Sequence, residues 1–73
     1  MSEADKMFEE LGYEKTKNIL GDDKYYNEKT SVRIVFWEER KCVIVGGSDV
    51  TVYISMEGLK AINKKVEELG WNE

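Results

Sequence analysis

The sequence contains no histidine and no proline, and Cys42 is its single cysteine. Without histidine, the chain lacks the commonest general base, so histidine-dependent catalytic triads and mixed Cys/His zinc sites are excluded. One cysteine excludes a disulfide within the chain, which fits a reducing compartment. Because no histidine is available to activate Cys42, we expect a buried or half-buried thiol there rather than a nucleophile.

Long apolar runs are also missing, so no segment is expected to span a membrane. The acidic first residues lack the basic and apolar regions of a signal peptide, which predicts a cytoplasmic protein. A length of 73 residues suits one small domain over residues 1–73. The net charge of −4 argues against non-specific nucleic-acid binding, which needs a basic stripe.

The last third of the chain has the pattern of an amphipathic helix over residues 56–69. Its apolar positions recur every three or four residues, as on one side of a helix: Leu59, Ile62, Val66 and Leu69, with Met56 one turn earlier. Ser55 is the expected N-cap. Gly70 is expected to adopt a left-handed conformation, with Trp71 folding back onto Val66. The lysines at 60, 64 and 65 are predicted to lie on the solvated side rather than to form a phosphate site.

A shorter helix is predicted over residues 2–11. Ser2 is its expected N-cap, and one side carries Ala4, Met7, Phe8 and Leu11. Gly12 and Tyr13 repeat the glycine–aromatic pattern that ends the second helix.

Strands are predicted within residues 13–54. The runs 32–37, 41–45 and 50–54 are rich in β-branched and aromatic residues. A looser turn is expected at 38–41, and Gly47-Ser48 suits a two-residue type II′ turn. Residues 13–29 leave two alternatives open: edge strands at 13–16 and 24–28 around a turn at 21–23, or one strand and a loop.

These turns fix a register that sorts the side chains onto two sheet faces. The first face is entirely apolar: Val32, Ile34, Phe36, Val43, Val45, Val50, Val52 and Ile54. Because that face must be covered, both terminal helices are expected to pack on it. The predicted fold class is therefore α+β, an antiparallel β-meander of three to five strands with the N-terminal and C-terminal helices on one face.

The second face is expected to stay uncovered and to form an interaction surface. Its candidate residues are Arg33, Val35, Trp37, Ile44, Tyr53 and Tyr26. A protein partner is the first hypothesis, and another copy of the chain, giving a homodimer, is its simplest form. Stiffening of the sheet by cross-strand aromatic pairs is the alternative interpretation of these side chains. Single-stranded nucleic-acid binding is the second functional hypothesis, although Arg33 is nearly alone among cations there.

An enzyme is the weakest hypothesis. Paired carboxylates at 22–23, 38–39 and 67–68 are neighbours in sequence, and nothing in their pattern indicates a pocket with shifted pKa values. The segment 46–49 lacks the lysine and following helix of a phosphate-binding loop. We therefore expect no catalytic residue, no cofactor and no metal.

Two segments resemble a group of small uncharacterised phage and prophage proteins of Gram-positive bacteria. These are Met-Phe-Glu-Glu-Leu-Gly-Tyr at 7–13 and the run from Ile54 to Trp71, which contains Ile-Ser-Met-Glu-Gly-Leu-Lys-Ala-Ile-Asn and ends in Glu-Glu-Leu-Gly-Trp. The middle of the chain is similar only in pattern, and Gly58 departs from the usual helix former. The resemblance implies an accessory protein in the bacterial host cytoplasm, with an antagonist of a host enzyme or defence complex as its sharper version. It supplies no catalytic or binding residues.

Overall fold

Residues 2–48 and 51–71 are described by a computed structural model of the chain, which has six secondary-structure elements. In chain order they are α1 (Glu3–Glu10), β1 (Tyr13–Lys17), β2 (Asp23–Asn27), β3 (Val32–Trp37), β4 (Cys42–Gly46) and α2 (Met56–Leu69). The strands form one antiparallel sheet in the order β1-β2-β3-β4. The predicted α+β class is confirmed, and residues 13–29 form two strands rather than one.

Two tight turns set the register of the sheet. Residues 28–31 connect β2 to β3 and residues 38–41 connect β3 to β4, and each turn ends on a residue with positive φ, Ser31 at 59° and Lys41 at 51°. Tyr25 consequently pairs with Ile34, and Phe36 pairs with Val43. The register predicted for β3 and β4 is confirmed, and Tyr26 pairs with Arg33 on the second face, as expected.

The strand predicted at 50–54 is wrong over its described residues. Thr51 to Ile54 do not form a strand, and Val50 lies outside the described residues. Positive φ is adopted by Gly12, Gly21 and Gly70 but not by Gly47, so the type II′ turn on which this strand depended does not form. Val52 and Ile54 instead pack against the core from a segment without β pairing.

The core lies between the first face and the helices. Its buried members are Phe8, Tyr25, Val32, Ile34, Phe36, Ala61 and Ile62. Phe8 of α1 stacks on Tyr25 with ring centroids 4.1 Å apart, and Trp71, beyond α2, lies 6.2 Å from Phe36. Both helices therefore pack on one side of the sheet, as the apolar alternation predicted.

The helix ends follow the sequence signals. Ser55 Oγ accepts a hydrogen bond from the Gly58 amide at 3.0 Å, and Ser2 caps α1 in the same way. Gly70 has φ 74°, and the Trp71 amide donates to the Val66 carbonyl at 3.1 Å, which completes a Schellman motif.

The buried side of α2 agrees with the prediction at Ile62, Val66 and Leu69, which pack in or against the core, and differs from it at other positions. Its buried residues are Gly58, Ala61, Ile62 and Lys65, whereas Met56 and Leu59 are 64% and 42% exposed. A Cβ at Gly58 would lie 3.2 Å from Ile54, so the small residue lets the segment before α2 pack closely on the first turn of the helix. Lys65, predicted to be solvated, is buried, and its ammonium lies 2.8 Å from the Asp23 carboxylate and 5.9 Å from the centroid of the Tyr25 ring.

Candidate functional site

The second face is built from two rows of paired residues that cross the sheet. One row runs through Thr16, Lys24, Val35 and Ile44, and the other runs through Glu14, Tyr26, Arg33 and Gly46. Trp37 and Cys42 form a further pair beside Val35 and Ile44. Because opposed residues share a face, five of the six predicted surface residues lie together: Arg33, Val35, Trp37, Ile44 and Tyr26.

A shallow apolar depression occupies one end of this face. Val35, Trp37 and Ile44 line it together with Asn18, Leu20 and Asp22, and its volume is about 180 Å³. Leu20 belongs to the β1–β2 turn, whose side chains were not predicted to lie on this face. An apolar pair, Ile19-Leu20, inside a polar turn was the available signal, and both side chains are exposed.

Asp22 fixes the turn that carries Leu20. It is 9% exposed, and its carboxylate accepts a hydrogen bond from the Glu38 amide at 3.3 Å. The Asp22 amide in turn donates to Asn18 Oδ1 at 2.9 Å. These bonds tie the β1–β2 turn to the end of β3, so the depression has a fixed polar wall on one side.

Tyr53 does not belong to this surface. It was assigned to the second face as a member of a fifth strand, and that strand is not formed by the described residues 51–54. Tyr53 is 80% exposed and lines a separate depression with Thr30, Val32, Gly47, Ser48, Thr51 and Val52, near the β2–β3 turn.

Cations surround the aromatic residues of the second face more closely than the sequence indicated. The Arg40 guanidinium lies 5.3 Å from the centroid of the Trp37 ring, within cation–π range. Lys24 shares the face through its pairing with Val35, and the Arg33 guanidinium lies over Gly46, where a Cβ would be 2.9 Å from it. The second face therefore carries Lys24, Arg33 and Arg40 together with the carboxylates of Asp22, which lines the depression, and Glu14.

Cys42 lies at the border of the second face and is exposed, so the prediction of a buried or half-buried thiol is wrong. The cause is its position at the start of an edge strand with an exposed outer side. Its thiol donates to the Arg40 carbonyl at 3.3 Å. Within residues 2–48 and 51–71, no cluster of three metal-binding side chains occurs.

The main cluster of titratable groups lies on the other side of the sheet, between the strands and the helices. The Asp23 carboxylate is 2.8 Å from the ammonium groups of both Lys17 and Lys65, and 4.0 Å from that of Lys15. Partial burial alone would raise the pKa of Asp23, but hydrogen bonds from Lys17 and Lys65 outweigh it and lower the pKa to about 2.

Asp5 extends this cluster to α1. Its carboxylate accepts hydrogen bonds from the Tyr25 hydroxyl and from Lys15 Nζ. Burial acts to raise the pKa of Asp5, yet these hydrogen bonds prevail and its pKa is lowered. Burial and the neighbouring Asp5 raise the pKa of Tyr25. The cluster links α1, α2, β1 and β2 through paired charges, and its geometry fits a structural role.

Comparison of the chain with known proteins gives no matching family model, no matching curated protein and no matching solved structure. The resemblance to phage and prophage proteins therefore stays a prediction. Among the described residues, neither helix is long and apolar enough to cross a membrane.

Proposed function

We propose that this chain is a non-enzymatic binding protein that contacts a protein partner through the second face. The observation that carries the proposal is the depression formed by Val35, Trp37 and Ile44 opposite the helix-covered side of the sheet. Apolar and aromatic residues bordered by arginine are the types enriched at binding hot spots. A patch of this kind on a small domain is typical of an interaction surface.

The class of partner follows from the resemblance to phage and prophage proteins. An accessory protein of that origin acts in the cytoplasm of a bacterial host, so we propose a host protein as the partner. The Arg40 guanidinium beside Trp37 and the pairing of Lys24 with Val35 favour a partner surface with an apolar anchor and acidic residues that meet these two cations.

The test is capture of host proteins by the immobilised chain, with two matched variants. Trp37→Ser removes the largest side chain of the depression, whereas Leu59→Ser removes an exposed apolar side chain from α2. We expect at least a tenfold loss of the specifically captured protein with Trp37→Ser, as for a hot-spot residue, and no loss with Leu59→Ser. If Leu59→Ser reduces the captured protein and Trp37→Ser does not, the interface lies on the helices and the proposal is contradicted.

Single-stranded nucleic-acid binding is the second candidate function, because Lys24, Arg33 and Arg40 lie beside Tyr26 and Trp37. Aromatic rings can stack bases while cations hold the backbone. Fluorescence anisotropy of a labelled mixed-sequence single strand at low salt tests it. This function requires an anisotropy increase that falls with added salt and is lost in Arg33→Ser. The negative net charge favours the protein partner, so we expect no increase.

A further inference from the structure

The two edges of the sheet differ in how well they are protected against pairing with another strand. At β1, Lys15 and Lys17 turn toward the helix side, where Asp5 and Asp23 hold their ammonium groups at 2.9 and 2.8 Å. Inward-pointing charges on an edge strand are a known protection against unwanted pairing. The β4 edge, Cys42–Gly46, contains no charged residue, and Ile44 and Val45 are 43% and 39% exposed.

In the part of the chain that the structure describes, β4 ends the sheet and no strand pairs with its outer side. We infer that β4 is the pairing site for a second copy of this chain, with the two β4 strands antiparallel about a two-fold axis at Ile44. This inference goes beyond the proposed function, because it adds a homodimer in which the second faces of the two copies form one larger surface for the partner. It differs from face-to-face pairing, which would bury that surface.

Antiparallel pairing of β4 with its own copy brings no like charges together. With the axis at Ile44, this residue opposes the partner's Ile44, and Val43 opposes the partner's Val45. Cys42 opposes the partner's Gly46, so all five residues pair and every side chain meets an uncharged one. A contact about a two-fold axis is isologous, and it closes the assembly at two copies.

The position of the helices leaves room for the second strand. A two-fold axis perpendicular to the sheet places the helices of both copies on the same side. Val45 faces that side and is still 39% exposed, so the helices do not cover the β4 edge. On the opposite side, the two second faces merge, with the two Ile44 side chains in the middle and Trp37 of each copy on either side.

The first test is the mass of the reduced wild-type chain by sedimentation equilibrium over about two decades of concentration. We expect a reversible monomer–dimer equilibrium. Reductant is present because Cys42 is exposed, although the proposed register places it opposite the partner's Gly46 and far from the partner's Cys42. A strictly monomeric chain over the whole range would overturn the inference.

The second test reads the register with single cysteines in a Cys42→Ser background. Ile44→Cys places a sulfur on the two-fold axis, opposite its own copy, at a separation that a disulfide spans. Val45→Cys is the matched control, because its exposure is similar but its copy lies on a diagonal about 7–8 Å away. We expect covalent dimers from Ile44→Cys at least tenfold faster than from Val45→Cys. Equal rates, or none from Ile44→Cys in a chain that does dimerise, would overturn the register.

A mixture separates edge pairing from face-to-face pairing. Val43→Cys and Val45→Cys chains are mixed, and a tag distinguishes them. Because Val43 opposes the partner's Val45 in the proposed register, disulfides should join one chain of each variant and seldom two chains of the same variant. Face-to-face contact cannot bring these positions together, because both lie on the helix-covered side of the sheet.

Trp37→Ser distinguishes failure of this inference from failure of the proposed function. The dimer should persist in Trp37→Ser, since Trp37 is not on β4, while capture of the partner is lost. A monomer that captures its partner through Trp37 would overturn the edge pairing alone. A dimer whose capture ignores Trp37 would overturn the proposed function alone.

Discussion

Asp23 holds the ammonium groups of two lysines at 2.8 Å each, and the side chain of one of them, Lys65, is only 8% exposed. A buried cation is costly unless its partner is present, so the two members of this pair are not equivalent. Removing the carboxylate leaves Lys65 without its anion, whereas removing the ammonium leaves Asp23 paired with Lys17.

We therefore predict that Asp23→Asn destabilises the fold by about 2–3 kcal/mol and that Lys65→Met costs about 1 kcal/mol or less. The methionine keeps an apolar side chain at this buried position and removes the charge, which lies 5.9 Å from the centroid of the Tyr25 ring. Urea unfolding of both variants measures the difference. A larger loss from Lys65→Met than from Asp23→Asn would contradict this account of the cluster.

The same carboxylate gives the fold a defined acid sensitivity. Its pKa is about 2 in the folded chain against an ordinary value of 3.8, so the unfolded chain binds the proton more readily. The stabilisation is therefore complete above about pH 5 and is lost as the pH falls toward 2. We predict a shallower fall of unfolding free energy in this window for Asp23→Asn, measured by urea unfolding at a series of pH values. The same slope in both chains would contradict the assignment.

Single residues also mark the limit of sequence reasoning. Periodicity placed Lys65 on the solvated side, because a hydropathy pattern treats lysine as polar and ignores its apolar stem. Only the tertiary structure brings the Asp23 carboxylate to the Lys65 ammonium. Cys42 was expected to be at least half buried from residue-type preference, which does not record that β4 is an edge strand.

At the scale of elements, the sequence predicts an element correctly where a local pattern allows only one backbone arrangement. Both helix caps and the strands from β3 to β4 follow the sequence, because the caps need a serine or a glycine and the register is fixed by apolar alternation. The segment 50–54 has strand-like composition, but Gly47 does not take the positive φ that its hairpin required. Composition alone does not report that angle.

The end of α2 gives a prediction with an internal control. Gly70 has φ 74° and open space around its missing Cβ, so Gly70→Ala should cost about 1 kcal/mol through backbone conformation alone. Gly58→Ala lies inside the helix, where better helix propensity opposes a tight contact with Ile54 at 3.2 Å, and should change stability by less than about 0.5 kcal/mol. Thermal unfolding compares them, and a greater loss at Gly58 would contradict the cap.

At the scale of the whole molecule, the described helices both lie on one side of a four-stranded sheet, and the two sides have different roles. The covered side supplies the core and the paired charges. The other side presents Val35, Trp37 and Ile44, and the β4 edge is free of charge. The assignment of residues to the two sheet faces could be predicted from alternation. The positions of Leu20, which lines the depression, and of Tyr53, which lies away from it, depend on turn conformations that alternation does not report.

The most direct test of the docking surface uses two exposed tyrosines. Tyr26 lies on the second face and Tyr53 lies away from it. Each is replaced in turn by a photoreactive phenylalanine derivative in cells of a bacterial host, and the adducts are identified by mass. We predict a specific protein adduct from position 26 and none of comparable yield from position 53. Equal adducts from both positions, or adducts from position 53 alone, would contradict the account.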